Sequence, residues 1–498
     1  MTGDDRFVMP PVRLPDAAVL AEEARATPLL SRAVRLTRWA KAGVRVGAGG
    51  ELSDSRLAEA VTELSLEGEP HAEALVSDAW NFAVDVGLLE VEEDPGAEGT
   101  EAAGVGDDEE SGTATPVPNL DELIASPEEL LEAWGRGTEA VVAEATLPSL
   151  EELIGDVDQL VAENGEIDPS SLDLDRFDWD EEEAANTLTS ALGNLYLMVA
   201  TEAVATDSMV PLPVVAASLV IPEDMDEPTD EVLGEVSETM IMLDGWFRSI
   251  EPTGLIAYRP VDDALTEDAD GGAVPLDEEE DVSQYGMVRL TPLGVYLVRE
   301  RLREEGADAP LVGELAEVDA RRLLATLPWH GDLAAREEIA GWLSGREPVA
   351  AARELLEAAR GADPEAPARR LACQQTLSLM DAEAEPALRA VLDDRELGGL
   401  ARVWLTEVGV GQVPPPDEEM VFWLTVDTLA AQLRINSDPS ELQELVGGLL
   451  EQHTGFFDAV WRTGHPATAD VLEGVAELLP DKEAAKEARR AAYRARSQ

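Results

Sequence analysis

The chain is 498 residues long, only 4% aromatic, and carries 36 Lys+Arg against 104 Asp+Glu, a formal net charge of −68. Binding a phosphate backbone depends on cations that neutralise it, so most of this surface is excluded as a nucleic-acid partner. A single cysteine, Cys373, excludes an intrachain disulfide, and its place in the apolar stretch Leu371-Ala372-Cys373 points to a small core residue rather than a nucleophile.

With so few aromatics, the core must be built from Ala, Leu and Val. Ala and Leu favour helix, and the length suggests about three domains. No apolar run approaches the roughly 18–20 residues of a membrane span, and the N-terminus lacks a basic-then-apolar leader pattern. These features predict a soluble, cytoplasmic protein. The acid is unevenly spread: residues 92–285 hold 4 Lys+Arg against 52 Asp+Glu.

The first predicted unit spans residues 1–91. In LLSRAVRLTRWAKA, residues 29–42, the spacing of Leu29, Ala33, Leu36 and Ala40 predicts one buried helix face. Arg32, Arg35, Arg38 and Lys41 lie away from it. Together with Arg45 they are the candidate anion or nucleic-acid contact, weighed against an ordinary solvated helix face. Ser53 or Asp54 caps a predicted helix at 55–64, another follows at about 72–86, and residues 88–91 read as a short strand. Three helices and a strand in this order predict a winged-helix-like unit. Residues 92–118, acidic and rich in Gly, Ala and Pro without periodicity, read as a disordered linker.

The second predicted domain spans 119–306. Ser126-Pro127-Glu128-Glu129 is a helix start with Pro in the first turn. Short helices and turns follow over 147–185, then helices at 188–205, 211–220 and 229–247. Two short apolar runs, at 254–258 and 287–290, flank an acidic insert at 261–284. Leu290-Thr291-Pro292-Leu293-Gly294 then leads into an amphipathic helix. This is the pattern of a winged helix whose wing carries a long insert. From 307 to 413 the chain reads as paired helices separated by Gly, Pro and Asp, which predicts a HEAT-like stack. Pro414-Pro415-Pro416 opens a last helical unit, 414–498, whose final helix carries Lys482, Lys486, Arg489, Arg490, Arg494 and Arg496. The expected fold class is therefore mainly α: winged-helix-like units followed by a HEAT-like array, with few short strands.

The sequences YGMVRLTPLGVYLVRERLREEG, PLVGELAEVDARRLL and EPALRAVLDDRELGGLARVWL resemble an uncharacterised group of acidic actinobacterial proteins, a resemblance that brings no activity with it. The Leu290 to Gly294 motif is similar to the wing-to-helix junction of MarR- and PadR-like winged helices. That resemblance implies DNA binding. The third helix of the central unit departs from it, because it begins Thr229-Asp230-Glu231, adds Glu235 and Glu238, and has no Lys or Arg before Arg248. The third helix of the first unit carries Glu73, Asp78 and Asp85 and no cation.

Chemistry is sparse. The alternation of Asp173, Asp175, Asp178 and Asp180 starts like a calcium loop. It fails at Phe177, where an oxygen ligand belongs, and at Ala184, where the closing carboxylate belongs. The four histidines, His71, His330, His453 and His465, have no zinc spacing. No nucleophile elbow or phosphate-binding Gly loop with Lys is present. The reading is a non-enzymatic interaction scaffold with a protein partner, without cofactor or metal and with nucleic acid disfavoured. Two alternatives stand beside it. One is a nucleic-acid-associated regulator, or its acidic DNA-mimicking variant. The other is an enzyme with an unrecognised carboxylate site.

Overall fold

The computed structural model describes residues 8–94, 110–148, 180–205, 207–222, 225, 228–261, 282–380, 382–435, 439–452 and 455–497. Among these, the protein is mainly helical, with two three-stranded sheets. It divides into two compact units. One comprises Met1–Val8 and Arg13–Ala309, the other Met9–Val12 and Pro310–Gln498.

The first unit begins with α1 (Ala17–Ala26) and α2 (Pro28–Trp39), followed by β1 (Val44–Val46), α3 (Asp54–Leu64), α4 (Ala72–Asp85), β2 (Leu89–Glu93) and β3 (Gly112–Pro116). Then come α5 (Leu120–Ala125), α6 (Pro127–Ala145), α7 (Glu181–Ala200), β4 (Val210–Pro211), α8 (Leu212–Val220), α9 (Asp230–Ile250), β5 (Ile256–Arg259), β6 (Met287–Leu290) and α10 (Pro292–Glu304). The sheets are ordered β1-β3-β2 and β4-β6-β5, so in each the last strand lies between the other two. All pairings are antiparallel, with Val44 opposite Ala114 and Leu89 opposite Pro116 in one, Val210 opposite Val288 and Ile256 opposite Leu290 in the other. The run α2-β1-α3-α4-β2-β3 thus has the same element order and strand order as α7-β4-α8-α9-β5-β6.

This corrects the linker expected at 92–118. Gly112–Pro116 is the central strand of the first sheet, with Ala114 fully buried. The acidic composition hides a five-residue stretch with Thr113 and Thr115 at alternate positions, a β-compatible pattern. Of that stretch, residues 95–109 lie outside the described residues. Nor is there a domain boundary after residue 91, since α1 packs on α6 and α4 also touches α6. Gly137 of α6 permits this approach: a Cβ there would stand 2.3 Å from Val86 and 2.4 Å from the Phe82 ring.

The 290–294 motif is now legible as packing. Thr291 is the N-cap of α10; its Oγ1 accepts the Gly294 N–H at 3.0 Å and donates to the Gly254 carbonyl at 2.6 Å. Pro292 occupies the first turn, where a missing N–H costs nothing. Leu293 is buried, and a Cβ on Gly294 would lie 2.0 Å from the Leu255 carbonyl oxygen. The motif therefore locks α10 onto the start of β5. From the other side, Asp244 of α9 accepts from the Tyr258 hydroxyl at 2.5 Å and from the Val261 N–H at 3.1 Å. Burial and this carboxylate push the Tyr258 hydroxyl pKa well up.

The second unit continues with α11 (Ala320–Thr326), α12 (Asp332–Leu343), α13 (Pro348–Ala358), α14 (Ala366–Ser378), α15 (Glu385–Ala390) and α16 (Gly398–Glu407). Then follow α17 (Glu418–Arg434), α18 (Pro439–Gln452), α19 (Phe456–Val460), α20 (Thr468–Leu478) and α21 (Lys482–Arg496). Its apolar core forms two clusters. One is drawn from 315–405 around Trp342, Cys373 and Trp404, the other from 422–492 around Phe422, Val460 and Leu472. In the first, α11 packs on α13 and α14, α13 on α15, and α14 on α16. Fully buried Glu338 of α12 accepts the Gly313 and Leu315 N–H groups at 2.6 and 3.1 Å, clamping that loop to the helix. Burial pushes its carboxyl pKa up, against the opposing effect of those two bonds.

Candidate interaction surfaces and the buried polar cluster

The outward face of α9 is the most distinctive surface in the first unit. The helix starts at Thr229, whose hydroxyl accepts the Val232 N–H, and its buried stripe is Val236, Met240, Leu243, Phe247 and Ile250. That spacing turns Glu231, Glu235, Glu238, Ile241 and Met242 outward, with Ile241 56% and Met242 41% exposed. Gly234 and Gly245 lie along the same helix, and a Cβ on either would meet nothing within 4 Å. The one cation, Arg248, is held by Asp244 at 2.8 Å. This face offers carboxylates, apolar side chains and open backbone, and no free cation for phosphate. On α4, Phe82 and the following Val86 face α6, and the exposed positions include Glu73, Asp78, Asn81 and Asp85.

The five predicted basic residues do not act as one group. Arg35 donates to the Glu63 and Leu64 carbonyls at the C-terminal end of α3. Arg45 is bound to Asp94 at 2.6 Å and Glu110 at 3.4 Å across the first sheet, which raises its pKa. Arg32 is half-buried and faces the field of Asp78. Arg38 and Lys41 are exposed and make no ion pair among the described residues. Two cations of five thus remain open to a ligand.

The densest polar chemistry, missed in the sequence, is buried in the second unit. Arg370 of α14 grips Asp427 of α17 through two bonds of 2.8 and 2.6 Å, with side chains 3% and 5% exposed. Its third nitrogen donates to the Ala359 and Gly361 carbonyls after α13. His465 Nε2 lies 3.0 Å from Asp427 Oδ1, while its Nδ1 accepts the Ala467 N–H. That backbone donor fixes the tautomer, so Nε2 carries the proton and donates to the carboxylate. Trp423 packs edge-on against His465, with the Arg370 guanidinium over its ring at 5.0 Å. Burial acts to raise the Asp427 pKa, but hydrogen bonds from His465 and Arg370 outweigh it and the pKa is lowered. Next door, Arg369 holds Asp363 with two bonds of 2.8 Å and lowers its pKa strongly.

A cleft of about 290 Å³ opens beside this cluster, lined by Arg370, Arg434, His465, Pro466 and Val471. Both imidazole nitrogens are already occupied, and the Arg370 donors go to Asp427 and two carbonyls. The arrangement ties α14, α17 and the 465–467 turn together, and leaves no ring nitrogen to take a proton from a bound molecule. Cys373 is fully buried and burial pushes its thiol pKa up, the opposite of an activated nucleophile.

No group of three or more His, Cys, Asp or Glu side chains suited to a metal occurs among the described residues. The calcium-like stretch at 173–179 and His453 lie outside them. No helix among them is long and apolar enough to cross a membrane. No protein-family model, curated protein or solved structure matches the chain.

Proposed function

We propose that the protein is a non-enzymatic interaction scaffold. In this reading two winged-helix units stand in tandem in the first unit, the second unit is a HEAT-like helical stack, and the outer face of α9 docks a basic protein partner. The repeated order helix, strand, two helices, two strands, with the last strand central in each sheet, supports the winged-helix reading. Successive packing of α11, α13 and α15 supports the stack.

The observation that carries the functional reading is the side-chain set on α9. A third helix that reads DNA needs donors for phosphates and base edges. This one presents Glu231, Glu235 and Glu238 with exposed Ile241 and Met242. Carboxylates around apolar anchors suit a protein surface carrying Lys or Arg around an apolar centre, with charge setting encounter and the apolar pair setting residence.

The test is native co-purification from the source cell with the intact chain and with a Glu235→Lys, Glu238→Lys, Ile241→Ser variant. A basic protein retained by the first and lost from the second is the expected result. Identical retention by both contradicts docking through α9.

A further inference from the structure

The last helix, α21, inverts the sign of the rest of the chain. Its packing face is alanine only: Ala485, Ala488, Ala491 and Ala492 are buried. Everything larger points outward. Lys482, Arg489 and Arg490 are exposed and make no ion pair among the described residues. Lys486 has only a loose exposed pair with Glu483, at 3.8 Å. Tyr493 is 75% exposed, and helical spacing sets it one turn beyond Arg489 and Arg490. Beside the helix, Trp461 has two guanidinium groups over its ring, Arg462 at 4.9 Å and Arg494 at 5.9 Å from the ring centre, the latter also paired with Asp458 at 3.2 Å. A cleft of about 380 Å³ runs along this side, lined by Phe457, Asp458, Glu487, Arg490 and Arg494.

Ion pairs account for part of this set, since Arg494 meets Asp458 at 3.2 Å and Arg496 meets Glu473 at 2.5 Å and Asp470 at 3.4 Å, but neither they nor the alanine face account for Lys482, Arg489, Arg490 and Tyr493. Solubility does not account for them either, since the chain already carries −68. Two arginines without ion pairs among the described residues, Arg489 and Arg490, beside an exposed ring and an indole with guanidinium groups near it, form a platform for a planar, π-faced polyanion. We propose that the outer face of α21, with Trp461 and Arg462, binds single-stranded nucleic acid, the arginines taking phosphates and Tyr493 stacking on a base.

A single strand fits better than a duplex, because its bases are free to stack on a convex helix, whereas duplex bases already stack on each other. An acidic protein segment would use the cations but leave Tyr493 without a role. Asp458 and Glu487 hold the cleft near neutrality, so stacking has to supply much of the affinity. The wider acidic surface is screened beyond about 8 Å at physiological salt, which confines its repulsion to contacts outside the platform.

The experiment is fluorescence anisotropy of the full chain with a labelled short oligothymidylate across a salt series. Expected are binding that weakens with salt, a loss of about tenfold for Tyr493→Ala, and a larger loss for the Arg489→Glu, Arg490→Glu double variant. Tyr493→Trp restores binding, and Arg489→Lys with Arg490→Lys keeps most of it, which separates a lost contact from a misfolded helix. No binding at low salt overturns the proposal. So does equal competition by polyglutamate together with an unchanged affinity for Tyr493→Ala, which would mark the face as a docking site for acidic protein.

Discussion

Replacing Asp427 with Ala isolates the element on which the second unit turns. The wild-type carboxylate is 4% exposed and receives three bonds, two from Arg370 and one from His465. Its removal leaves a guanidinium that is 3% exposed with only the Ala359 and Gly361 carbonyls as partners, and an imidazole N–H with no acceptor. Breaking one side of a buried ion pair costs about 3–5 kcal/mol, because the surviving charge stays buried. Arg370→Met costs somewhat less, because His465 still faces the carboxylate. The double variant Arg370→Met, Asp427→Leu removes both charges and is expected to recover about 2 kcal/mol or more relative to the sum of the single variants. Urea unfolding followed by tryptophan fluorescence reads this directly, since Trp423 touches both Arg370 and His465.

The same pair fixes a pH dependence. Asp427 has a depressed pKa in the folded chain, so its contribution is complete above the ordinary carboxylate value of about 4 and is lost as pH falls through the folded value. Wild type is therefore expected to lose stability at the acid end more steeply than the double variant. A cost below about 1 kcal/mol for Asp427→Ala, with parallel pH profiles, would refute the buried-pair argument.

Three further outcomes follow from the geometry. Gly245→Ala and Gly234→Ala should each stabilise the first unit by about 0.8–1 kcal/mol, since the added methyl meets open space in a helix interior; unchanged urea midpoints would count against these placements. Gly294→Ala should be among the most damaging single changes in the first unit, because its Cβ would stand 2.0 Å from the Leu255 carbonyl oxygen, while Thr291→Ala loses a cap worth about 1 kcal/mol. Circular dichroism melts of the two variants test that ranking. Cys373 should resist an aromatic disulfide reagent in the native chain and react only on unfolding; prompt labelling would mean its helix opens readily.

Local rules made part of this fold legible. Ser126, Thr291 and the prolines after them mark the starts of α6 and α10, and the helical spacing of Leu233, Val236, Met240, Leu243 and Trp246 marks α9, although Leu233 is 40% exposed. Gly294 was visible as a motif residue, but its reason, the approach of the Leu255 backbone, lies 39 positions away. β3 was hidden because acid, Gly and Pro on either side swamp a five-residue strand whose partners sit at 44–46 and 89–93. The Arg370–Asp427–His465 cluster was illegible for a similar reason. Its members are separated by 57 and 38 residues, and nothing in a local pattern marks which of many carboxylates is buried. Among the basic residues, the sequence located a cationic face on α2 but not the commitment of Arg35 to carbonyls or of Arg45 to Asp94.

The most direct test of the docking role assigned to α9 is photo-crosslinking from a reactive residue placed at position 241, in native extract, read by mass spectrometry. The predicted result is crosslinks to lysine- and arginine-rich protein peptides. These should vanish on Glu235→Lys with Glu238→Lys and weaken near 1 M salt, where the Debye length falls to about 3 Å. Crosslinks to nucleic acid, or protein crosslinks indifferent to both charge reversal and salt, would contradict the account.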